Sequence, residues 1–167
     1  ADDAICGLGP AGTGDANYPC ATVSHGLSRA SNAAKARVLV AGGSYGEEVV
    51  LVAGVDLLGG YNAANWSRDW DVNLTVLQVP SGDGHRRTVI ASNITESTVL
   101  QGFAIYGRSA TEVAMNSYGI WAMGCSEDVH IVDNQIYAAD GAPGLSGLAG
   151  ASGTGGDTGS PGVDALE

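Results

Sequence analysis

Basic residues are scarce. Seven lysines and arginines stand against eighteen aspartates and glutamates in 167 residues, a formal net charge of −11. Such a surface repels phosphate backbones, because nucleic-acid binding depends on Lys and Arg displacing counterions. Nucleic acid and anionic membrane surfaces are therefore set aside as partners. No apolar run approaches the ~20 residues of a membrane span. No zinc-ligand spacing, phosphate loop, Gly-x-Ser-x-Gly or His-Glu-x-x-His occurs, so the common metal, nucleotide and hydrolase signatures are missing. Cysteines number three and methionines two. The chain opens Ala1-Asp2-Asp3-Ala4, which fits a mature end left by signal-peptide removal, so the protein is expected to be secreted or at the cell surface.

What is present divides the chain. Apolar residues make up 44% of it, but Leu, Ile and Val thin out after residue 140. Residues 1–37 read as a lead-in and a capping helix. In the lead-in, Cys6 and Cys20 bracket a Gly-, Pro-, Asn- and Asp-containing stretch that cannot build a core. A disulfide closing a loop of this size gains roughly 3 kcal/mol in the chain-entropy model. A Cys6–Cys20 staple is the expectation; two reduced thiols are the alternative. Val23, Leu27, Ala30 and Ala34 fall at i, i+4, i+7 and i+11, which predicts a helix over 20–37. Cys125 sits in an apolar-flanked run and reads as a small buried hydrophobe.

Residues 38–139 change period. Short β-rich runs such as Val38–Val40, Val49–Val52, Leu74–Leu77, Thr98–Leu100 and Val129–Val132 recur, with Gly42-Gly43, Gly54, Gly59-Gly60, Gly102 and Gly124 at corners. Most runs are three or four residues, short for a sandwich strand of about 5–6. Val99–Tyr106 and Val129–Tyr137 share one design: a strand, a polar or Gly corner, and a strand ending Ile-Tyr. Their ragged spacing suits stacked rungs whose loops accept insertions. About four rungs are expected, with the helix covering the first.

The run Val38-Leu39-Val40-Ala41-Gly42-Gly43-Ser44-Tyr45-Gly46-Glu47-Glu48-Val49-Val50-Leu51 resembles the opening rung of right-handed parallel β-helix repeat proteins of the pectin-lyase-like superfamily. Gly54–Tyr61, Gly102–Ile105 and the Asp133-Asn134-Gln135-Ile136 corner fit the same pattern. With Pro19–Val23 and the Gly-rich end, nearly the whole chain is similar to secreted proteins of environmental bacteria. The resemblance implies an all-β solenoid; on activity it is almost silent.

Residues 140–167 form a third segment. Gly141, Gly144, Gly147, Gly150, Gly153, Gly156, Gly159 and Gly162 recur at period three. A threefold, polyproline-II-like helix demands this register, because only Gly fits at a crowded axis. Collagen also carries about 15–20% Pro or more, whereas here only Pro143 and Pro161 fall within the tract. A free-standing collagen-like trimer is therefore disfavoured. Polyglycine-II-like packing, within or between chains, and a flexible spacer remain.

Chemistry is thin. The best cluster is Trp66-Ser67-Arg68-Asp69-Trp70-Asp71, with Tyr61 nearby. On an extended segment Asp69 and Asp71 point the same way, which suits a sugar platform or a weak calcium site. The alternative is an insertion loop pinned by the tryptophans, with Arg68 paired to Asp69. Asp83–Arg87 reads as a solvated turn, and His130 as an exposed rung residue. The paired aspartates and Gly-His-Gly expected of a polygalacturonase-like site are not found. The sequence thus points to a non-catalytic structural or adhesive protein that needs no cofactor and self-associates into an oligomer or filament. A carbohydrate-binding or polysaccharide-degrading module, with surface glycans as ligands, is the second expectation, and a piece of a larger solenoid is the third.

Overall fold

Strands of two to seven residues cannot bury a face alone, and the chain solves this by stacking them. The computed structural model describes residues 19–162. Cys6 lies outside the described residues, and with it the pairing expected for Cys20. Among the described residues one helix, α1 (Val23–Asn32), precedes eleven strands. These are β1 (Arg37–Ala41), β2 (Gly43–Tyr45), β3 (Val49–Val50), β4 (Asp56–Tyr61), β5 (Thr75–Gln78), β6 (Arg86–Ser92), β7 (Thr98–Gln101), β8 (Ala104–Tyr106), β9 (Ser117–Met123), β10 (Val129–Val132) and β11 (Gln135–Tyr137).

Every third strand stacks on the one before. The sheets run β1-β4-β7-β10, β2-β5-β8-β11 and β3-β6-β9, and all their pairings are parallel. The result is an all-β parallel solenoid of three turns, with β10 and β11 starting a fourth. Side chains alternate between the inside and the flank, so matched positions form columns. One inner column runs Val38, Leu57, Leu100, Ile131 and another Leu77, Ile105, Ile136. Thr75, Thr88 and Thr98 are the buried polar side chains among the described residues, and their hydroxyls bond backbone at the corners. Two corners bring backbones so close that a Cβ on Gly59 would run into the Gly102 carbonyl oxygen, and Gly102 itself sits at φ +84.

The helix closes the first turn. Val23, Leu27 and Ala30 are its buried face. Thr22 caps it by accepting from His25 N, and the Glu47 carboxylate accepts from Val23 N and Ser24 N at 2.8 and 2.9 Å. A carboxylate there complements the positive end of the helix dipole. The helix is shorter than the 20–37 expected from periodicity. Ala34 turns left-handed at φ 50, Lys35 N donates to Ala30 O, and Ala34 N donates to Ser31 O. That is a Schellman ending, and it frees Arg37 to begin β1.

At the other end, residues 138–143 run along the loop between β8 and β9, where Ala142 N donates to Met115 O and Ala110 N to Asp140 O. Beyond them the chain leaves the solenoid. From residue 144 to 162 every residue is exposed, and no heavy atom lies within 4 Å of where a Cβ would stand on any glycine there. Packing of this tract against the solenoid is not seen among the described residues.

Candidate functional site

The Trp66–Asp71 cluster lies in a loop that leaves β4 after Tyr61 and returns at β5. Two tight turns shape it. Trp66 N donates to Asn62 O at 2.8 Å, with Trp66 held at φ 58. Asn73 N donates to Asp69 O at 2.8 Å, and the Asp69 carboxylate accepts from Asp71 N and Val72 N. Asp69 is thus a turn-capping residue. The segment is not extended, so the same-side alternation expected of Asp69 and Asp71 does not apply.

Arg68 pairs with something other than Asp69. Its Nε donates to Gly59 O at 2.9 Å and its Nη1 to Gln101 Oε1 at 3.0 Å. Its guanidinium lies 5.4 Å from the Tyr61 ring centre and 5.0 Å from that of Trp70. Trp66 tilts against Tyr61 at 6.3 Å. The structure thus gathers Tyr61, Trp66 and Trp70, and fills the space between two of them with the protein's own cation. Arg68 ties the loop to the second and third turns. Gln101 passes the contact on, its Nε2 donating to Asp133 on the fourth turn at 2.8 Å. The Trp70 ring stays partly open, at 40% exposure for the residue.

The other residues that could do chemistry are dispersed. Arg86 and Arg87 belong to β6 and not to a solvated turn; Arg87 stacks on Trp121 at 5.3 Å and pairs with Glu48 at 3.6 Å. His85 Nδ1 accepts from Asn116 N. His130 is exposed, as expected. Cys125 is a free thiol, half-buried against the core. A shallow groove of about 330 Å³ lies beside β2 and β5, lined by Ser44, Tyr45, Val76, Gln78 and Arg108 among others. Burial pushes the Tyr45 hydroxyl above its ordinary value of 10.0, nearby Glu47 adds to the shift, and the hydroxyl donates to Ala41 O. Among the described residues, no group of three or more His, Cys, Asp or Glu side chains converges as a metal site would. No helix among them is long and apolar enough to cross a membrane.

The open end of the solenoid went unnoticed in the sequence. Leu57 and Leu100 are 0% exposed, but Ile131, next in their column, is 43% exposed. Leu77 and Ile105 are likewise 0% exposed, and Ile136 above them is 52%. Tyr137 stacks on Tyr106 at 4.4 Å on the flank of the same turn. The signal was available: apolar rungs stop at Tyr137, and a glycine tract with no further strand pattern follows.

No family model matches the chain, and neither a curated protein nor a solved structure matches it. The function must be read from the residues themselves.

Proposed function

We propose that this chain is a non-catalytic structural or adhesive protein, secreted or held at the cell surface, that works by self-association. We take its solenoid to be right-handed and of the pectin-lyase-like type. The observation that carries the reading is the contrast between the two ends. One is closed by α1, while the other presents inward-facing Ile131 and Ile136 to solvent. Uncovered apolar surface of this kind marks interaction sites. The charged groups of the Trp66–Asp71 loop are taken up by contacts within the fold, which supports a structural role for them. The Gly-x-x tract, spanning roughly 60 Å from residue 144 to 162 at ~3.1 Å per residue, adds reach or a second contact.

Light scattering on the native, non-reduced chain tests this. Masses above the single-chain 16.7 kDa are expected as concentration rises. A single-chain mass at all concentrations up to about 1 mM overturns the proposal. Deleting residues 144–167 should leave the melting temperature unchanged, because no described residue of the tract packs on the body. Any change in mass then reports the tract's own part in assembly.

A glycan-binding reading rests on one observation, the gathering of Tyr61, Trp66 and Trp70 in one loop with Trp70 partly open. A glycan panel decides it. Binding lost in a Trp70→Ala variant would establish the reading, and silence across the panel would remove it.

A further inference from the structure

The two ends of the solenoid differ in a way that restricts how copies can meet. At the first turn, α1 lies over β1 and β3, and Val40 and Val49 are 4% and 0% exposed beneath it. A second solenoid cannot stack there without displacing the helix. At the last turn nothing among the described residues covers the inner columns. The edge strands there are β9 (Ser117–Met123), β10 and β11, and none contains Lys, Arg, Asp, Glu or Pro. Charged residues and prolines are two of the usual means of blunting an edge against pairing; short strands are another, and β10 and β11 are only four and three residues long.

We infer that the open end takes a second copy of this chain, tail to tail, with β10 of one copy pairing antiparallel to β10 of the other about a two-fold axis. This deepens the self-association reading and rests on it. Head-to-tail growth would need the helix-covered end as acceptor. Like-to-like pairing needs only the open end, and it leaves both copies covered. Val129 and Ile131 of each copy then meet the same pair in the other, while Ile136 on β11 comes over β9 of the other copy.

The pleat restricts the register. Directly opposed residues in an antiparallel pair point to the same side, and a one-residue slip would send the inner set outward. Val129 and Ile131 stack on Thr98 and Leu100, both fully buried, so both face in. Two registers keep inner opposite inner while pairing three residues of the strand. In one, Val129 of each copy faces Ile131 of the other, with His130 opposite His130. In the second, Ile131 faces Ile131.

Size and charge set the strength. Two such ends cover on the order of 1,000 Å², the lower edge of specific interfaces. The edge strands that would pair are only four and three residues long, so the pair is weak. Between Gly124 and Pro143 lie Glu127, Asp128, Asp133 and Asp140 and no Lys or Arg. Two acidic ends repel, and salt screens that repulsion. Pairing should thus tighten as salt is raised, the reverse of an assembly held by ion pairs.

The experiment is sedimentation velocity with light scattering on the full chain, from about 5 µM to 1 mM, at low and high salt. The expected result is a mass that levels off at two copies and reaches that plateau at lower concentration in high salt. Ile131→Asp should stay a single chain throughout. So should His130→Lys, which blunts the edge at an exposed position without touching the interior. Val50→Asp, on the flank of the first turn and 50% exposed, should pair like the parent. Far-UV circular dichroism checks that each variant is folded. A mass that climbs past two copies without levelling overturns the two-fold end and leaves self-association standing. Undiminished pairing in folded His130→Lys also overturns it, as does pairing that weakens with salt. A single chain under all conditions overturns both this inference and the reading beneath it.

Discussion

Replacing Arg68 with methionine keeps most of the stem and removes the guanidinium. The hydrogen bonds to Gly59 O and Gln101 Oε1 are worth about 1 kcal/mol each. Stacking on Tyr61 and Trp70 adds about 0.5 kcal/mol per ring at a partly exposed site. Freed rotamers return about 1 kcal/mol of entropy. The net loss is about 2 kcal/mol, or a melting temperature lower by roughly 4–8 °C for a chain of this size. Lysine keeps the charge but cannot serve both acceptors in the same fork, so Arg68→Lys should fall about midway. Urea unfolding followed by far-UV circular dichroism, at concentrations too low for pairing, reads both variants. If Arg68→Met unfolds within about 0.5 kcal/mol of the parent, Arg68 is no clasp. The Tyr61–Trp70 gap is then free for a ligand, and the glycan reading gains.

Two further outcomes follow from the columns and the cap. Leu100→Ala hollows a fully buried position between Leu57 and Ile131 and should cost about 2–5 kcal/mol, while Ile131→Ala at the open end should cost about 1 kcal/mol under the same dilute conditions; equal costs in urea unfolding would mean that the last turn is covered. Tyr45 stabilises the fold through its neutral form, because burial, and to a lesser degree Glu47, raises its hydroxyl. That contribution is full below pH 10.0 and is lost as the pH climbs from there through the raised value. Tyr45→Phe should therefore flatten stability against pH above 10, and an unchanged slope would refute the assignment.

The solenoid was legible because its signals are local. Short β-rich runs and glycine corners mark rungs without any knowledge of what stacks on what, and Val129–Val132 and Phe103–Tyr106 were readable on that basis alone. Gly42-Gly43 reads as a corner, and the two glycines mask a three-residue strand, Gly43–Tyr45, that its pairing with β5 makes regular. The helix end was hidden because alanine, a strong helix former, takes the left-handed position that glycine usually marks. The loop cluster was legible in its membership and misread in its geometry. Which partner Arg68 takes depends on Gly59 and Gln101, nine and thirty-three residues away, brought near by stacking. The open end is a property of the stack as a whole, and no single stretch of sequence announces it.

Because α1 precedes β1 in the chain, the finished end of the rod is also the first to be synthesised. Each turn of a solenoid touches only its neighbours, so folding can spread from one turn to the next. A turn laid beside a folded neighbour finds a completed edge and needs no long search for a distant partner. Growth by accretion consumes one edge and creates the next, so the molecule has a grain. The first turn lies under the helix, and the last carries an edge on which none of the described residues is laid.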